Sequence, residues 1–337
     1  MKLNHYNKFN NFKEDITMGI KLLRFEYETQ IHWGVLEEAI RIIEHEEQSL
    51  NKLITNGYEA IQHAKTHGKI VKNEEISLLS PVTEDANIFC QGTNYSVHRE
   101  EAGFTKQKPP YNLLFTKASS TLTSATADIS CPAHVKLLDY EIELGLIMKK
   151  DITEPTTITD ENLKDYIAGL VIANDMSARD VQIVEQQWFK GKSYRGFCPV
   201  GPYIYLLEEN EIQYLDQLVL HLEVNGETRQ HVATDQLLFK PTETLSEMSE
   251  IFNLKTGDLV LTGTPGGVCL RLNANIIQYI FDNTIPHEDK ISYFIDTQKD
   301  NGYLQDGDLL RLSIKSTDNV IDLGMQENKI SHAIPVK

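Results

Sequence analysis

Apolar positions along the chain follow two different periods. From Ile20, the run IKLLRFEYETQIHWGVL reads as two short strands. The next stretch, EEAIRIIEHEEQSLNKLITNGYEAIQHAKTHG, carries Leu50, Leu53, Ile54, Tyr58 and Ile61 at helical spacings and predicts helix. Beyond about residue 84 the pattern becomes short apolar runs punctuated by Gly, Pro and Asn. The clearest are YNLLFTK, VKLLDYEIELGLIMKK, IAGLVIAND, PVGPYIYLL, LVLHLEVNGE, GDLVLTGTP and GDLLRLSIK. Asn225-Gly226, between two such runs, predicts a hairpin turn. Helices are expected here only over 96–102, 177–189 and 242–252, the second opened by a capping box of Ser177 and Asp180. The expected fold is α+β and mostly β. A polar tail (1–17) and a small N-terminal α+β domain (18–83) precede a main domain (84–337). Within the main domain, the polar segment 273–303 is expected to form an inserted loop or arm.

Charge narrows the partners. The 32 Lys and Arg stand against 49 Asp and Glu in 337 residues, a net charge of −17. Such acidity opposes binding to nucleic acid or to anionic lipid. No stretch reaches the ~20 apolar residues of a membrane span, and the first residues lack the apolar run of a secretory signal. Cys90, Cys131, Cys198 and Cys269 form no CxxC pair. A cytoplasmic protein with reduced thiols is expected.

A few carboxylates resist the reading of a solvated surface. In Leu138-Asp-Tyr-Glu-Ile-Glu-Leu-Gly-Leu146, alternation puts the apolar residues on one strand face and Asp139, Glu141 and Glu143 on the other, ~6.8 Å apart. An amphipathic strand with its polar face in water would give the same pattern. Burial would instead require a cation, and an all-oxygen set suits Mg²⁺, Mn²⁺ or Ca²⁺. Asp175 ends the apolar run IAGLVIAND, either as a helix cap or as a third carboxylate at the mouth of a sheet. Arg179 and Gln182 follow one and two turns on and could reach the same mouth. His98 and Glu101, three apart, share a helix face and could activate a water, although a surface helix would carry the same pair. Lys192, and the turn Thr262-Gly263-Thr264-Pro-Gly-Gly267 with its backbone N–H groups, are the remaining loop constellations.

Taken in order, GTNYSVHREEAG, DYEIELGLIMKK, YIAGLVIANDMSARDVQ, KGKSYRGFCPVGP, VNGETRQ and LKTGDLVLTGTPGGV resemble the fumarylacetoacetate hydrolase family. The resemblance spans about residues 84–270, and LQDGDLLRLSIKSTDNVIDLG is similar to the family's closing strands. It implies a mixed β-sandwich roll, a homodimer, and a Mg²⁺ or Mn²⁺ ion held by Glu141, Glu143 and Asp175 with Asp139 behind them. It further implies that Tyr95, Arg179, Gln182, Gly263 and Thr264 bind a small anionic oxo acid. His98, Glu101 and Lys192 would be catalytic. The activity expected is hydrolysis of a C–C bond in a 2,4-dioxo acid, with the metal stabilising the departing enolate and His98 activating water. The alternatives are decarboxylation or isomerisation of an oxo-dicarboxylic acid such as oxaloacetate, hydration of a 2-oxo-pentenoate, and a non-catalytic module that kept the fold. Arg195 stands where many relatives carry Asp, a departure that bears on the substrate's distal end or on the local charge balance.

Overall fold

A computed structural model describes residues 18–46 and 48–332; the polar tail 1–17 lies outside the described residues. Strands dominate, as the apolar runs predict. A 13-stranded mixed sheet carries Ile20–Tyr27, Ile204–Leu206, Ile167–Asn174, Ile142–Met148, Leu259–Leu261, Ile88–Gly92 and Leu113–Lys117 side by side in that order. A five-stranded sheet holds Glu227–Ala233, Leu218–Val224, Leu309–Ser316, Asp322–His332 and Ile129–Cys131. Most pairings are antiparallel, but Leu259–Leu261 runs parallel to Ile88–Gly92. The strands of the 18–83 segment continue the large sheet, because Ile20–Tyr27 pairs with Ile204–Leu206.

Ile142–Met148 and Ile167–Asn174 pair with each other and are buried at every residue. Side chains of one parity (Leu144, Leu146, Leu170, Ile172) join the largest core. Those of the other parity (Ile147, Val171, Ala173) join a second core under the helices of the 18–83 segment. Any polar residue on either strand is therefore inside the protein. The Asn225-Gly226 turn forms as predicted, both residues having positive φ (53° and 81°), between Leu218–Val224 and Glu227–Ala233.

Several expectations are corrected. The 138–146 run is not one strand. Leu138–Asp139 pairs with Ser177–Ala178, the chain breaks at Tyr140-Glu141, and a new strand starts at Ile142. The helix expected over 177–189 splits into Arg179–Val184 and Trp188–Lys192, since Ser177 and Ala178 are taken up by that pairing and Gln186 turns the chain at φ 55°. No capping box forms: Ser177 Oγ donates to the Asp175 carbonyl, and the cap is Ala178. In the N-terminal stretch Ile40–Ile42 is a strand against Gln30–Leu36, and the helices are confined to Leu50–Asn56 and Tyr58–His67. Of the loop or arm expected over 273–303, the structure shows helices and not a loop. The segment forms helices Ala274–Phe281 and His287–Gln298, the second packed on Arg179–Val184.

Candidate active site

The broken acidic strand places three carboxylates at one point. The Asp175 N–H donates to the Glu141 carbonyl (2.8 Å) and the Glu141 N–H to Asn174 Oδ1 (2.9 Å), which locks the two strand ends together. Oxygens of Glu141, Glu143 and Asp175 lie within 4.8 Å of one another. Glu141 is 4% exposed, Glu143 1% and Asp175 0%, so these are not solvated surface groups.

Buried like charges are costly unless neutralised. Three cations stand around the triad. Lys192 Nζ bridges Glu141 Oε2 (2.7 Å) and Asp175 Oδ2 (2.5 Å). Lys117 Nζ donates to Asp175 Oδ1 (2.6 Å). Arg179 spans Asp139 Oδ2 (2.8 Å, from Nε) and Glu141 Oε1 (2.6 Å), while its remaining nitrogen reaches Gln182 Oε1 (2.9 Å). Burial raises the Glu141 pKa, yet Lys192 and Arg179 outweigh it and hold the group at about 2. Burial raises Glu143 as well, and there Asp175 and Glu141 add to it, so its pKa stands well above the usual carboxylate range. One carboxylate in the triad thus lacks sufficient positive charge. A compact set of hard oxygens with such a deficit fits a divalent ion such as Mg²⁺ or Mn²⁺.

The loop after Leu259–Leu261 closes over this cluster. The Gly263 N–H donates to Glu143 Oε2 (2.7 Å), and Gln230 Nε2 donates to Thr264 Oγ1 and the Pro265 carbonyl (both 2.8 Å). Asp139 accepts from the N–H groups of Cys269 and Leu270 as well as from Arg179. Across the site, His98 Nδ1 lies 3.5 Å from Glu101 Oε2 on the helix Ser96–Glu101. Neither atom has a hydrogen-bond partner, while the other Glu101 oxygen accepts from the Gly267 N–H (2.9 Å). His98 adds to the charge acting on Glu141.

A cavity of about 220 Å³ opens onto these groups. His98, Glu141, Glu143, Arg179, Gln182, Lys192 and Thr264 all line it. Glu101 and Asp175 stand behind the wall, the first 3.5 Å from His98 and the second hydrogen-bonded to Lys192. Two expected substrate ligands, Gly263 and Tyr95, do not line this cavity. The Gly263 N–H is spent on Glu143, and Tyr95 is buried outside the lining with an unpartnered hydroxyl. Arg195 is exposed and outside the lining of this cavity. Sequence reasoning missed Lys117 and Gln230. Lys117 ends the apolar strand LLFTK, and a lysine closing such a run was the available signal; Gln230, in an ordinary polar stretch, carried none.

The β-rich fold and its acidic triad define a class of enzyme, and comparison names the family. The sequence model of the fumarylacetoacetate (FAA) hydrolase C-terminal domain matches residues 87–331, and the chain belongs to this family. The chain is 33% identical over 200 residues to the oxaloacetate tautomerase Fahd2a, mitochondrial, of Rattus norvegicus, covering 59% of this chain and 62% of that protein. It is 32% identical over 234 residues to the oxaloacetate tautomerase YisK of Bacillus subtilis, covering 65% and 76%. Among solved structures, the fumarylacetoacetate hydrolase of Exiguobacterium antarcticum superposes with a TM-score of 0.70 at 28% identity, over 93% of this chain and 100% of that one. No helix among the described residues is long and apolar enough to cross a membrane.

Proposed function

We propose that this chain is a divalent-metal-dependent enzyme that interconverts the keto and enol forms of a 2-oxo acid, with oxaloacetate as the simplest test substrate. The observation that carries the reading is the buried Glu141, Glu143 and Asp175 triad, two of whose members, Glu141 and Glu143, open with His98 onto one cavity. Keto–enol exchange needs an electrophile at the 2-oxo group and a base at C3, and no attacking water. Glu141, Glu143 and Asp175 would hold a Mg²⁺ or Mn²⁺ ion, which supplies Lewis-acid polarisation of the 2-oxo group when bound. His98 takes the proton from C3 and, as imidazolium, gives it to the enolate oxygen, with Glu101 3.5 Å from its ring and anchored in turn by the Gly267 N–H. Lys192, kept protonated by Asp175 and Glu141, supplies positive charge beside the developing enolate. The names of the rat and Bacillus relatives support tautomerisation over hydrolysis.

A second reading keeps the C–C bond hydrolase first expected. It draws on the likeness to the Exiguobacterium hydrolase and on the same dyad, which can deprotonate a water instead of a carbon. The test is direct. Freshly dissolved enol oxaloacetate is followed by its enol absorbance with Mg²⁺ and with EDTA, alongside acylpyruvates assayed for pyruvate release. Metal-dependent acceleration of the enol decay without pyruvate release is expected. Rapid pyruvate release from acylpyruvates, with no effect on the enol, would overturn the tautomerase reading in favour of the hydrolase.

A further inference from the structure

The cavity has two unlike ends. All its charged lining residues belong to the cluster already described: Arg179 and Lys192 are engaged by Asp139, Glu141 and Asp175, and His98 faces Glu101. Much of the remaining wall is hydrocarbon, including Phe104, Trp188, Leu272, Ile277 and Phe281, and no further cation lines it among the described residues.

The 273–303 segment builds part of this wall. Ile277 and Phe281 are four apart and share one face of the helix Ala274–Phe281. Ile276 and Ile280, also four apart, are buried in the main core. The helix therefore has one apolar face in the core and a second at the cavity. It is held close to the dyad: the Leu272 N–H donates to the Glu101 carbonyl (2.8 Å), and a Cβ on Gly103 would meet Ile277 Cδ1 at 2.8 Å. Yet Phe104 is 46% and Phe281 55% exposed, two large rings left open to water at the mouth. A hydrocarbon group of the ligand would cover them. A carboxylate in the same place would meet no cation, only rings and the neutral Gln91, Thr93 and Gln186 of the lining.

We propose that the cavity prefers a 2-oxo acid whose far end is an uncharged alkyl or aryl group, and that Ile277 and Phe281 set this preference. The proposal rests on the reading above, that the carboxylate and 2-oxo group lie at the acidic cluster; oxaloacetate fills only that charged end.

Calorimetric titration of the Mg²⁺-loaded protein with pyruvate, 2-oxohexanoate and 2-oxoadipate tests it without turnover. Affinity should rise from pyruvate to 2-oxohexanoate by roughly fourfold for each methylene that enters the wall. 2-Oxoadipate, which carries a distal carboxylate, should bind more weakly than 2-oxohexanoate. The exposed Phe281 tolerates polar replacement, and Phe281→Lys should reverse the order of the two six-carbon acids. Equal or tighter binding of 2-oxoadipate by the unaltered protein, with pyruvate still bound, would overturn the preference alone. An unchanged order in Phe281→Lys would overturn the role of that residue. Binding of none of the three would overturn the site reading, and the preference with it.

Discussion

Lys192 Nζ lies 2.7 Å from Glu141 Oε2 and also 2.5 Å from Asp175 Oδ2, so one buried ammonium ties together two of the three triad carboxylates. Burial lowers the Lys192 pKa, but Asp175 and Glu141 more than reverse this, and the net shift is upward. Lys192→Met leaves these carboxylates short of a cation. Losing one partner of a buried pair costs about 3–5 kcal/mol. In EDTA the variant should melt well below the unaltered protein, and Mg²⁺ should raise its melting temperature by the larger increment. Equal increments from Mg²⁺ would show that the ammonium and the ion do not serve the same charges.

Arg179 is expected to act through Glu141. Its planar group meets Asp139 and Glu141 at once, and a lysine cannot reproduce that fork. Groups that orient a metal ligand typically alter metal affinity by ~10–100-fold when replaced. Arg179→Lys should weaken Mn²⁺ binding by about that factor in calorimetry, with secondary structure by circular dichroism preserved. Unchanged Mn²⁺ affinity would remove Arg179 from the support of the site.

Much of this site was legible in the residues, for reasons that can be named. Glu141 and Glu143 stood out because charges at alternate positions beside Leu144 and Leu146 conflict with a strand that is buried on both faces. Asp175 stood out because it ends the run IAGLVIAN. The break at Tyr140-Glu141 was not legible. Strict alternation conceals it, and it arises from long-range pairing, with Leu138–Asp139 held by Ser177–Ala178. That pairing also undid the capping box at Ser177, a local signal overridden by a tertiary one. The 273–303 segment read as a loop or arm because it is long, polar and dotted with aromatics. Its two helices meet at a short turn where Asp282 accepts from the Thr284 N–H, and each buries only a narrow face.

Asp180 offers a pH-dependent signature away from the triad. One of its oxygens accepts from the Lys136 N–H (2.7 Å), and the other is buried without a partner. Burial raises its pKa despite the opposing backbone N–H groups. The folded value thus exceeds the unfolded one, near 3.9. The stability this group contributes is fully present below the unfolded value and is lost as pH rises through the folded one. Asp180→Asn keeps an acceptor for Lys136 but cannot ionise. Its melting temperature should gain on that of the unaltered protein as pH rises from about 4 towards neutrality. A difference that stays constant with pH would contradict the assignment.

His98 and Glu101 should separate chemistry from metal binding. Both lie outside the triad, yet His98 lines the same cavity and Glu101 is pinned by the Gly267 N–H. A positioned base typically contributes 10²–10⁴ in rate, so His98→Asn should slow metal-dependent enol decay by roughly two to four orders of magnitude. Mn²⁺ affinity measured by calorimetry should change little, because no triad oxygen loses a hydrogen bond. Glu101→Gln should show a smaller loss, since an amide still occupies the space beside His98 but carries no charge to stabilise the imidazolium. A variant at position 98 that loses bound metal, or a Glu101→Gln variant as fast as the original, would mean that the pair supports the fold and not the proton transfer.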